Sequence, residues 1–512
     1  MSVIANLWRL ARTAATFQRT GAMAEALEAM DAPRSIRIAA RVLGWPLSPL
    51  GLEGDPALPP APRALTALGP AYVKFGQLLS TRPDVAGEKI ARDLRVLQDR
   101  LAPFPLEEAR AQVEHELGRP VDEIFSEFGP AVAAASIAQV HPAVERETGR
   151  RVAVKVLRPG VERAFRQDVD AFWFIAKTIE FLAPSSRRLR PRAVIAHFEG
   201  VVMTELDLRL EAAAAAEFRA NTAGDEGFAV PEVLWAHSAR RVMTLEWVDG
   251  DPLGDVDLLA ARGHHLVPLG SFIIRSFLRH ALRDGFFHAD MHQGNLKLAR
   301  DGTLIALDFG IMGRIDPYTR RVYAEILLGF LRRDYRRVAE VHFEAGYVPA
   351  DRDLEAFAQA LRSIGEPIFG QDASHISMAR LLAHLFDVTE RFGMETRTEL
   401  ILLQRTMVVV EGVARTLDPN LNMWRASQPV VEDWMKDNLG PKAMRRDLVA
   451  TAMVLSRFGP RLPDMAEKVL KRAVADATQE AAPRGLGAAG LVAMAGAGFV
   501  GALIGAAATT LF

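Results

Sequence analysis

The residues of this chain that could do chemistry are concentrated in one stretch, from Phe287 to Gly310. Asp290 is followed at a D-x-x-x-x-N spacing by Asn295, and further on by Asp308, which begins an Asp-Phe-Gly. Phosphoryl-transfer sites place one aspartate near the nucleophile, while an asparagine and a second aspartate hold the metal ions that bridge the nucleotide phosphates. The spacing therefore predicts a site for ATP and Mg²⁺, with Asp290 as catalytic group and Asn295 and Asp308 as metal ligands.

The segment between these motifs has the pattern of a short hairpin. Two apolar runs, Leu296-Lys297-Leu298 and Leu304-Ile305-Ala306-Leu307, flank the turn Arg300-Asp301-Gly302. A hairpin here would bring two loops together at one metal. A D-x-x-x-x-N spacing is common by chance, but its combination with a hairpin and Asp-Phe-Gly is not, so the sequence favours a real site.

A single lysine interrupts an apolar strand pattern. Val152–Leu157 alternates like a strand and contains Lys155, whose ammonium group would be costly to bury without a partner. We expect Glu211, which lies in a helical run, to pair with Lys155 and hold it towards the nucleotide phosphates as part of the catalytic set. Taken alone, Glu211 fits a solvated helix face equally well, and only the surrounding motifs favour the ion pair.

Two further segments are expected to enclose the nucleotide. Ala133-Ala134-Ala135-Ser136 lies where kinases have a glycine-rich phosphate loop. Alanine penalises the positive φ and close backbone approach that glycine permits, so we expect the phosphates to be held differently. The apolar strand Val242–Val248 would be the hinge, with backbone groups from Glu246 to Val248 meeting the adenine. A buried strand start and a plain edge strand are the respective alternatives.

Bulk composition limits the function classes. The chain has 512 residues, of which 49% are hydrophobic and 24% charged, with a formal net charge of -1. This length suffices for two or more cores, and the absence of a basic surplus gives no indication of a nucleic-acid partner. There is no cysteine, which excludes disulfides, thiol catalysis and cysteine-ligated metals.

The N-terminal segment is basic. Residues 1–24 contain no acidic residue, and Trp8, Arg9 and Arg12 interrupt any apolar core that a secretory signal would need. We expect an ordinary amphipathic surface helix here; a transit peptide and a membrane-surface helix are the alternatives.

The C-terminal segment is apolar. Residues 485–512 carry no charge, and Leu491–Phe512 would span about 33 Å as a helix, against roughly 30 Å of hydrocarbon. We predict one C-terminal transmembrane helix in the inner (cytoplasmic) membrane, with the body on the cytoplasmic side because basic residues precede it. A small-residue stripe, Ala497, Gly501 and Gly505, would suit a homodimer contact. A buried glycine- and alanine-rich helix or a loose tail is the alternative.

The order of segments predicts an α+β chain with a bilobal protein-kinase-like fold, a small mixed lobe preceding a larger helical lobe. The expected divisions are N-terminal helices and a linker (1–62), a helical extension (63–130), the small lobe (131–250), the helical lobe (251–480) and the transmembrane segment (485–512). Strands are expected at Ser136–Val144, Val152–Leu157 and Val242–Val248, with a helical run over Arg192–Asn221 and mostly helix from Leu266 to about Ala477 apart from the hairpin.

Together these motifs resemble the UbiB family of atypical protein-kinase-like proteins. The resemblance covers roughly Leu65 to Asp316 and adds Lys74-Phe75-Gly76-Gln77 and Glu205-Leu206-Asp207 to the residues above. It implies that residues 63–130 are the family's K-x-G-Q extension, which folds over the place where a kinase binds its protein substrate. Lys74 and Gln77 would belong to this occluding motif, and Glu205 and Asp207 to the E-x-D pair that helps to close it.

The resemblance also implies a function. Members act as Mg-ATP-dependent ATPases or small-molecule kinases that support ubiquinone biosynthesis at a membrane. The partners would be membrane lipid, a polyprenylphenol or quinone-like lipid, and other proteins of quinone biosynthesis. A nucleotide-binding scaffold without turnover is the alternative. A hydroxylase, the family's older description, would need a flavin fold, a haem ligand set or a metal triad, and the sequence shows none.

One motif departs from the family pattern. The usual Asp-Pro-His-Pro-Gly-Asn is replaced here by Asp290-Met291-His292-Gln293-Gly294-Asn295. Both prolines are missing, so we expect a looser catalytic loop, while the retained aspartate and asparagine should still bind metal.

Overall fold

The computed structural model describes residues 3–29, 34–80, 88–94, 96–97, 103–135, 137–182, 191–370, 384, 388, 391–394 and 398–439. The chain divides into two compact units, Met1–Val431 and Glu432–Phe512, and the second is described only over 432–439. Ser136 and the predicted transmembrane segment 485–512 lie outside the described residues. Within the described residues, no helix combines the length and the hydropathy that crossing a membrane requires.

The residues before the first sheet are helical. Prolines begin two of these helices, Pro60 and Pro70, because the first helical position needs no backbone donor. Gly69 separates the two with a φ of 114°, which an L-residue rarely adopts. The helices are Val3–Thr20, Ala22–Ala29, Arg34–Gly44, Pro60–Leu68, Pro70–Ser80, Glu88–Leu94, Leu106–Leu117 and Val121–Ile124, with a 3₁₀ segment at Trp45–Leu50.

A five-stranded antiparallel sheet follows, made of β1 (Phe125–Phe128), β2 (Ala133–Ala134), β3 (Ala138–Glu145), β4 (Arg151–Leu157) and β6 (Val242–Glu246). The strands lie in the order β1-β3-β4-β6, with β2 paired to β3. Alternate residues of β4, Val152, Val154 and Val156, are fully buried in a core with Phe104 and the helix Leu106–Leu117. The period of two therefore directs Lys155 to the opposite face.

Three helices lie between β4 and β6 in the sequence: Val161–Leu182, Pro191–Glu205 and Leu208–Thr222. The first was not predicted. The expected helical run over Arg192–Asn221 is confirmed as helical but is divided in two, because one helix ends at Glu205 and a new one begins at Leu208. Asp207 causes the restart: its side chain accepts a hydrogen bond from the Arg209 N–H (3.1 Å) and caps the new helix.

The remaining strands are short. β5 (Phe228–Ala229), β10 (Leu304–Ala306), β9 (Leu296–Leu298) and β7 (Asp251–Pro252) form a four-stranded sheet in that order, and only the β5–β10 pair is parallel. The antiparallel pair β9–β10 confirms the predicted hairpin. β8 (Phe286–His288) and β11 (Met312–Arg314) form a separate antiparallel pair, which corrects the expectation that this region has no strand outside the hairpin.

The rest of the described chain is helical, as predicted. Tyr335, Val338 and Phe357 are fully buried and form the centre of one core in this region. The helices are Val256–Ala261, Leu266–Arg279, Pro317–Leu331, Tyr335–Glu344, Leu354–Gly370, Thr398–Leu417 and Met423–Leu439, with a π-helical turn at His280–Asp284. The fold thus combines helices and sheets in one chain.

Candidate active site

Lys155 and Glu211 meet in the structure. Lys155 leaves the centre of β4, and Glu211 lies in the first turn of the helix Leu208–Thr222, where a negative charge suits the helix dipole. The Lys155 Nζ is 2.6 Å from the Glu211 Oε1. Their side chains are 16% and 9% exposed. This is a buried, hydrogen-bonded ion pair.

A third charge, Asp308, completes the cluster. Its Oδ2 is 3.6 Å from the Lys155 Nζ, and its side chain is 52% exposed. Burial tends to lower the pKa of Lys155, but the carboxylates of Asp308 and Glu211 outweigh burial and raise it. The Lys155 ammonium in turn lowers the pKa of Asp308. Burial raises the pKa of Glu211, and the Lys155 ammonium opposes that rise. The cluster therefore holds a protonated lysine beside a solvent-facing carboxylate.

The backbone around Asp308 is unusual. Asp308 has a φ of 55°, and its Oδ1 accepts a hydrogen bond from the Gly310 N–H (3.1 Å). Left-handed backbone at a non-glycine residue is sparsely populated and occurs preferentially at functional sites. The next residue, Phe309, is buried and packs against Phe218, which lies on the same helix as Glu211. The turn thus points Asp308 towards solvent while its neighbour anchors the loop to the Glu211 helix.

Asp290 and Asn295 are also brought together. The Asn295 Nδ2 donates to the Asp290 backbone oxygen (3.0 Å) and, more weakly, to its Oδ2 (3.3 Å). The His292 Nε2 lies 3.5 Å from the same Oδ2, while the His292 Nδ1 accepts the Gly294 N–H (3.0 Å). These contacts close a compact loop in spite of the missing prolines. Met291, which replaces one of them, is fully buried.

His288 joins the two loops of the site. The His288 Nε2 donates to the Leu307 oxygen (3.0 Å), and the His288 Nδ1 accepts the Asp290 N–H (3.1 Å). This pattern requires the neutral ring, and burial lowers the pKa of His288 accordingly. His288 therefore links the Asp290 loop to the residue directly before Asp308.

Thr406 is a contact that the sequence gave no reason to select. It lies on the distant helix Thr398–Leu417 and is fully buried, and its single hydroxyl proton is shared between the Ala289 oxygen (3.0 Å) and the Leu402 oxygen of its own helix (2.8 Å). A threonine in a helix has no pattern that marks such a long-range bond. It fixes the residue directly before Asp290.

Lys74 and Glu205 form a second ion pair near the first. The Lys74 Nζ is 3.2 Å from the Glu205 Oε2, and both side chains are largely buried. Glu205 contributes to the raised pKa of Lys155, after Asp308 and Glu211, and Lys74 contributes to the lowered pKa of Asp308, after Lys155. The two ion pairs are therefore electrostatically connected.

The other residues of these motifs have structural contacts. The Gln77 Nε2 donates to the Leu97 oxygen (3.4 Å). Asp207 caps its helix, and its hydrogen bond with Arg209 lowers its pKa. Gly76 is closely packed: a Cβ there would lie 2.5 Å from Leu97 Cδ1. The K-x-G-Q helix is thus fixed against its neighbours on the side of Gly76.

The two segments that were expected to enclose the nucleotide are partly taken up by strands and their hydrogen bonds. Ala133 and Ala134 form β2, and the Ala135 N–H donates to the Ala138 oxygen (2.8 Å), so this stretch is a strand and tight turn. In the expected hinge, the Glu246 and Trp247 N–H groups bond to the Glu232 and Arg151 oxygens. Of the three residues from Glu246 to Val248, Val248 alone has no backbone donor bond among the described contacts. The strand also ends at Glu246 rather than at the predicted Val248.

The donor set fits magnesium. Mg²⁺ is bound by one or two carboxylates together with substrate phosphates rather than by an all-protein cage. Asp308 offers a solvent-facing carboxylate, and the Asn295 amide uses its nitrogen on Asp290, which leaves its oxygen for another contact. The described residues contain no cluster of three or more His, Cys, Asp or Glu that could hold a metal alone.

Comparisons with known proteins show which families and relatives the chain is similar to. The sequence matches the ABC1 atypical kinase-like domain over residues 96–342 and the UbiB helical domain over residues 361–422. A protein of Marinobacter nauticus named "Probable protein kinase UbiB" is 39% identical over 83% of this chain and 79% of its own length. A protein of the same name from Edwardsiella ictaluri is 40% identical over 84% and 80%, respectively. The structure of an Rv3197–erythromycin complex from Mycobacterium tuberculosis covers 69% of this chain and 93% of its own, with 23% identity and a TM-score of 0.44.

Proposed function

The chain belongs to the UbiB family of atypical kinase-like proteins, and we propose that it is a membrane-anchored, Mg-ATP-dependent enzyme that supports ubiquinone biosynthesis. Its kinase-like fold, with mixed helices and sheets, was expected from the sequence. The reaction would be ATP hydrolysis or phosphoryl transfer to a small molecule. Bilobal organisation, with the K-x-G-Q extension against the smaller lobe, is part of the same proposal.

The observation that carries this proposal is the charge cluster of Lys155, Glu211 and Asp308. Phosphoryl transfer needs positioning and charge neutralisation more than covalent chemistry from the protein. Glu211 would hold the ammonium of Lys155 in place to grip the nucleotide phosphates. When bound, Mg²⁺ would supply charge neutralisation, with Asp308 and Asn295 as its protein ligands.

Asp290 would serve the nucleophile. Its carboxylate lies in a loop fixed by His288, Asn295 and Thr406, so it would orient a hydroxyl or a water and accept its proton. The adenine would meet the backbone beyond β6. Because two N–H groups there are already bonded, Val248 is the residue we expect to donate to the base, and Ala133-Ala134-Ala135-Ser136 would lie over the phosphates.

The K-x-G-Q and E-x-D motifs would regulate access. The Lys74–Glu205 ion pair joins one motif to the other, and its field reaches Lys155 and Asp308. This supports a role in which the extension blocks the access of protein substrates to the site. Gln77 and Asp207 would hold the backbone of the two motifs in place.

The remaining elements of the proposal rest on sequence alone. Residues 485–512 would form a single transmembrane helix in the inner (cytoplasmic) membrane, with the catalytic body on the cytoplasmic side. The small-residue stripe in that helix would allow a homodimer. A polyprenylphenol or quinone-like lipid, and other proteins of quinone biosynthesis, would be the partners.

The test is Mg-dependent ATP hydrolysis by the full chain in liposomes, with and without a polyprenylphenol analogue. Asp308→Asn should lose most of the turnover, because the metal loses a charged ligand. The matched control is Asp301→Asn, which makes the same change at the exposed turn of the same hairpin and should keep wild-type turnover. Equal rates for all three proteins would refute the catalytic proposal.

A nucleotide-binding scaffold is the second candidate. The two missing prolines and the alanine stretch in place of a glycine loop favour it. ATP binding is therefore measured alongside turnover. Tight, Mg-dependent binding with no turnover above Asp308→Asn would establish the scaffold instead.

A further inference from the structure

An apolar stripe is exposed on the helix Arg34–Gly44 and the 3₁₀ segment that follows it. Ile38, Val42 and Trp45 are 64%, 63% and 76% exposed. They are spaced four and three residues apart, so at 3.6 residues per turn they lie within about 60° of one face. Large apolar side chains exposed together on one face, in contrast to scattered single ones, mark an interaction site.

The residues directly after this segment are anchored to the first helix. The Arg19 Nη1 donates to the Gly51 oxygen (2.9 Å), and the Leu52 N–H donates to the Thr16 Oγ1 (3.0 Å). Gly51 comes so close to the first helix that a Cβ there would lie 2.3 Å from the Ala15 oxygen. The stripe is therefore presented on a fixed support.

The charges beside the stripe have one sign. The helix Arg34–Gly44 contains three arginines and no acidic residue. Arg34 and Arg41 are exposed, and helical spacing places both within about 60° of Ile38. Arg37, further round, is 3.9 Å from Glu28. Apolar residues flanked by arginines, with a tryptophan at the edge, are the composition of a helix that lies in a membrane interface.

We propose that this surface, the Ile38–Trp45 stripe with Arg34 and Arg41, docks on an anionic lipid bilayer. The apolar side chains would enter the headgroup–acyl boundary, and the arginines would contact lipid phosphates. A second copy of the chain is a poorer occupant, because a two-fold contact through this narrow stripe would bring like-charged arginines together. The contact involves residues 34–45 alone and does not depend on the proposed catalysis.

The surface lies on the helices that support the K-x-G-Q motif. The first helix, which anchors the 3₁₀ segment, also contacts the Lys74 helix through Thr13 and Tyr72, whose oxygens are 2.8 Å apart. Docking would thus fix the position of the Lys74 helix relative to the membrane surface.

The absence of cysteine makes a direct test available. In the full chain, Val42→Cys introduces a single thiol that can be labelled with an environment-sensitive fluorophore. Phosphatidylcholine vesicles containing phosphatidylglycerol should shift its emission to the blue, and pure phosphatidylcholine should not. The matched control is Val267→Cys, which is 58% exposed on another helix and should not respond. Adding Arg34→Gln and Arg41→Gln should weaken the response about fivefold per arginine.

Four results would overturn the proposal. The label at position 42 could remain in water while the protein sediments with the same vesicles. That result would show that another segment attaches the protein to the membrane. An equal blue shift with uncharged vesicles would refute the preference for anionic lipid. A shift at position 42 no larger than that at position 267 would refute this surface as the site of contact. A blue shift that grows with protein concentration before vesicles are added would show self-association instead.

Discussion

Replacing Glu211 with glutamine isolates the charge of the central ion pair. The substitution keeps the shape of the side chain and an oxygen that can accept from Lys155. Removing one partner of a buried pair costs about 3–5 kcal/mol, because the other charge is left uncompensated. Here Asp308, 3.6 Å from the ammonium, remains as a second counter-charge. We therefore expect a loss of about 2–3 kcal/mol in the free energy of unfolding.

We expect Glu211→Gln to lower the ATP turnover as well as the free energy of unfolding. Without the charge of Glu211, the Lys155 ammonium is expected to move towards Asp308 and to compete with the metal for its carboxylate. A loss of about 3 kcal/mol in transition-state stabilisation would lower kcat/KM for ATP roughly a hundredfold. The two measurements are urea unfolding without nucleotide and Mg-dependent ATP turnover.

The control lies on the same helix. Glu217 pairs with Arg314 at 2.7 Å, but the side chains are 42% and 64% exposed. Exposed pairs contribute about 0–1 kcal/mol, so Glu217→Gln should change neither measurement appreciably. If Glu211→Gln behaves like Glu217→Gln in both assays, the reasoning that Glu211 holds a buried lysine for phosphate binding is wrong.

Further predictions concern packing, pH and loop geometry. Gly76→Ala should destabilise by about 1–3 kcal/mol, because its Cβ would lie 2.5 Å from Leu97 Cδ1, whereas Gly200→Ala, with open space, should be neutral or stabilising in the same unfolding assay. Burial lowers the pKa of His342 to about 4 from its ordinary 6.5. The unfolded chain takes up that proton first, so stability should fall by roughly 3 kcal/mol between pH 6.5 and 4, and His342→Phe should flatten this part of the profile. His288→Phe should lower kcat with little change in ATP affinity, since it removes two loop bonds and no nucleotide contact; unchanged kcat would contradict its positioning role.

Local patterns predicted the strands well where alternation is strong. The expected strands at Val152–Leu157 and Ser136–Val144 correspond to Arg151–Leu157 and Ala138–Glu145, and the hairpin was correct. In each case a run of alternating apolar residues or a glycine turn sets the structure locally. The family, too, followed from the sequence because several motifs occur together at fixed separations.

Features set by distant contacts could not be predicted. β8 and β11 are three residues each, too short to show a period, and exist because they pair with one another. The bond from Thr406 to the backbone before Asp290 spans 117 positions in the sequence. The sequence offered a membrane-surface helix over residues 1–24, whereas the exposed apolar stripe belongs to the helix after that segment. Exposure depends on which face the neighbouring helices cover, and composition does not reveal it.

The two short strand pairs close the active-site segment at both ends. The Ala289 N–H bonds to the Ile311 oxygen (3.0 Å) beside the β8–β11 pair, and the Leu307 N–H bonds to the Asn295 oxygen (2.8 Å) beside β9–β10. Both loops thus lie between the same two strand pairs, and we expect them to open as one cooperative unit. In hydrogen exchange, the amides of Ala289 and Leu307 should lose protection together. Fluctuations of this unit would release the nucleophile-orienting and metal-binding groups in the same event, so that the site is either wholly assembled or wholly lost.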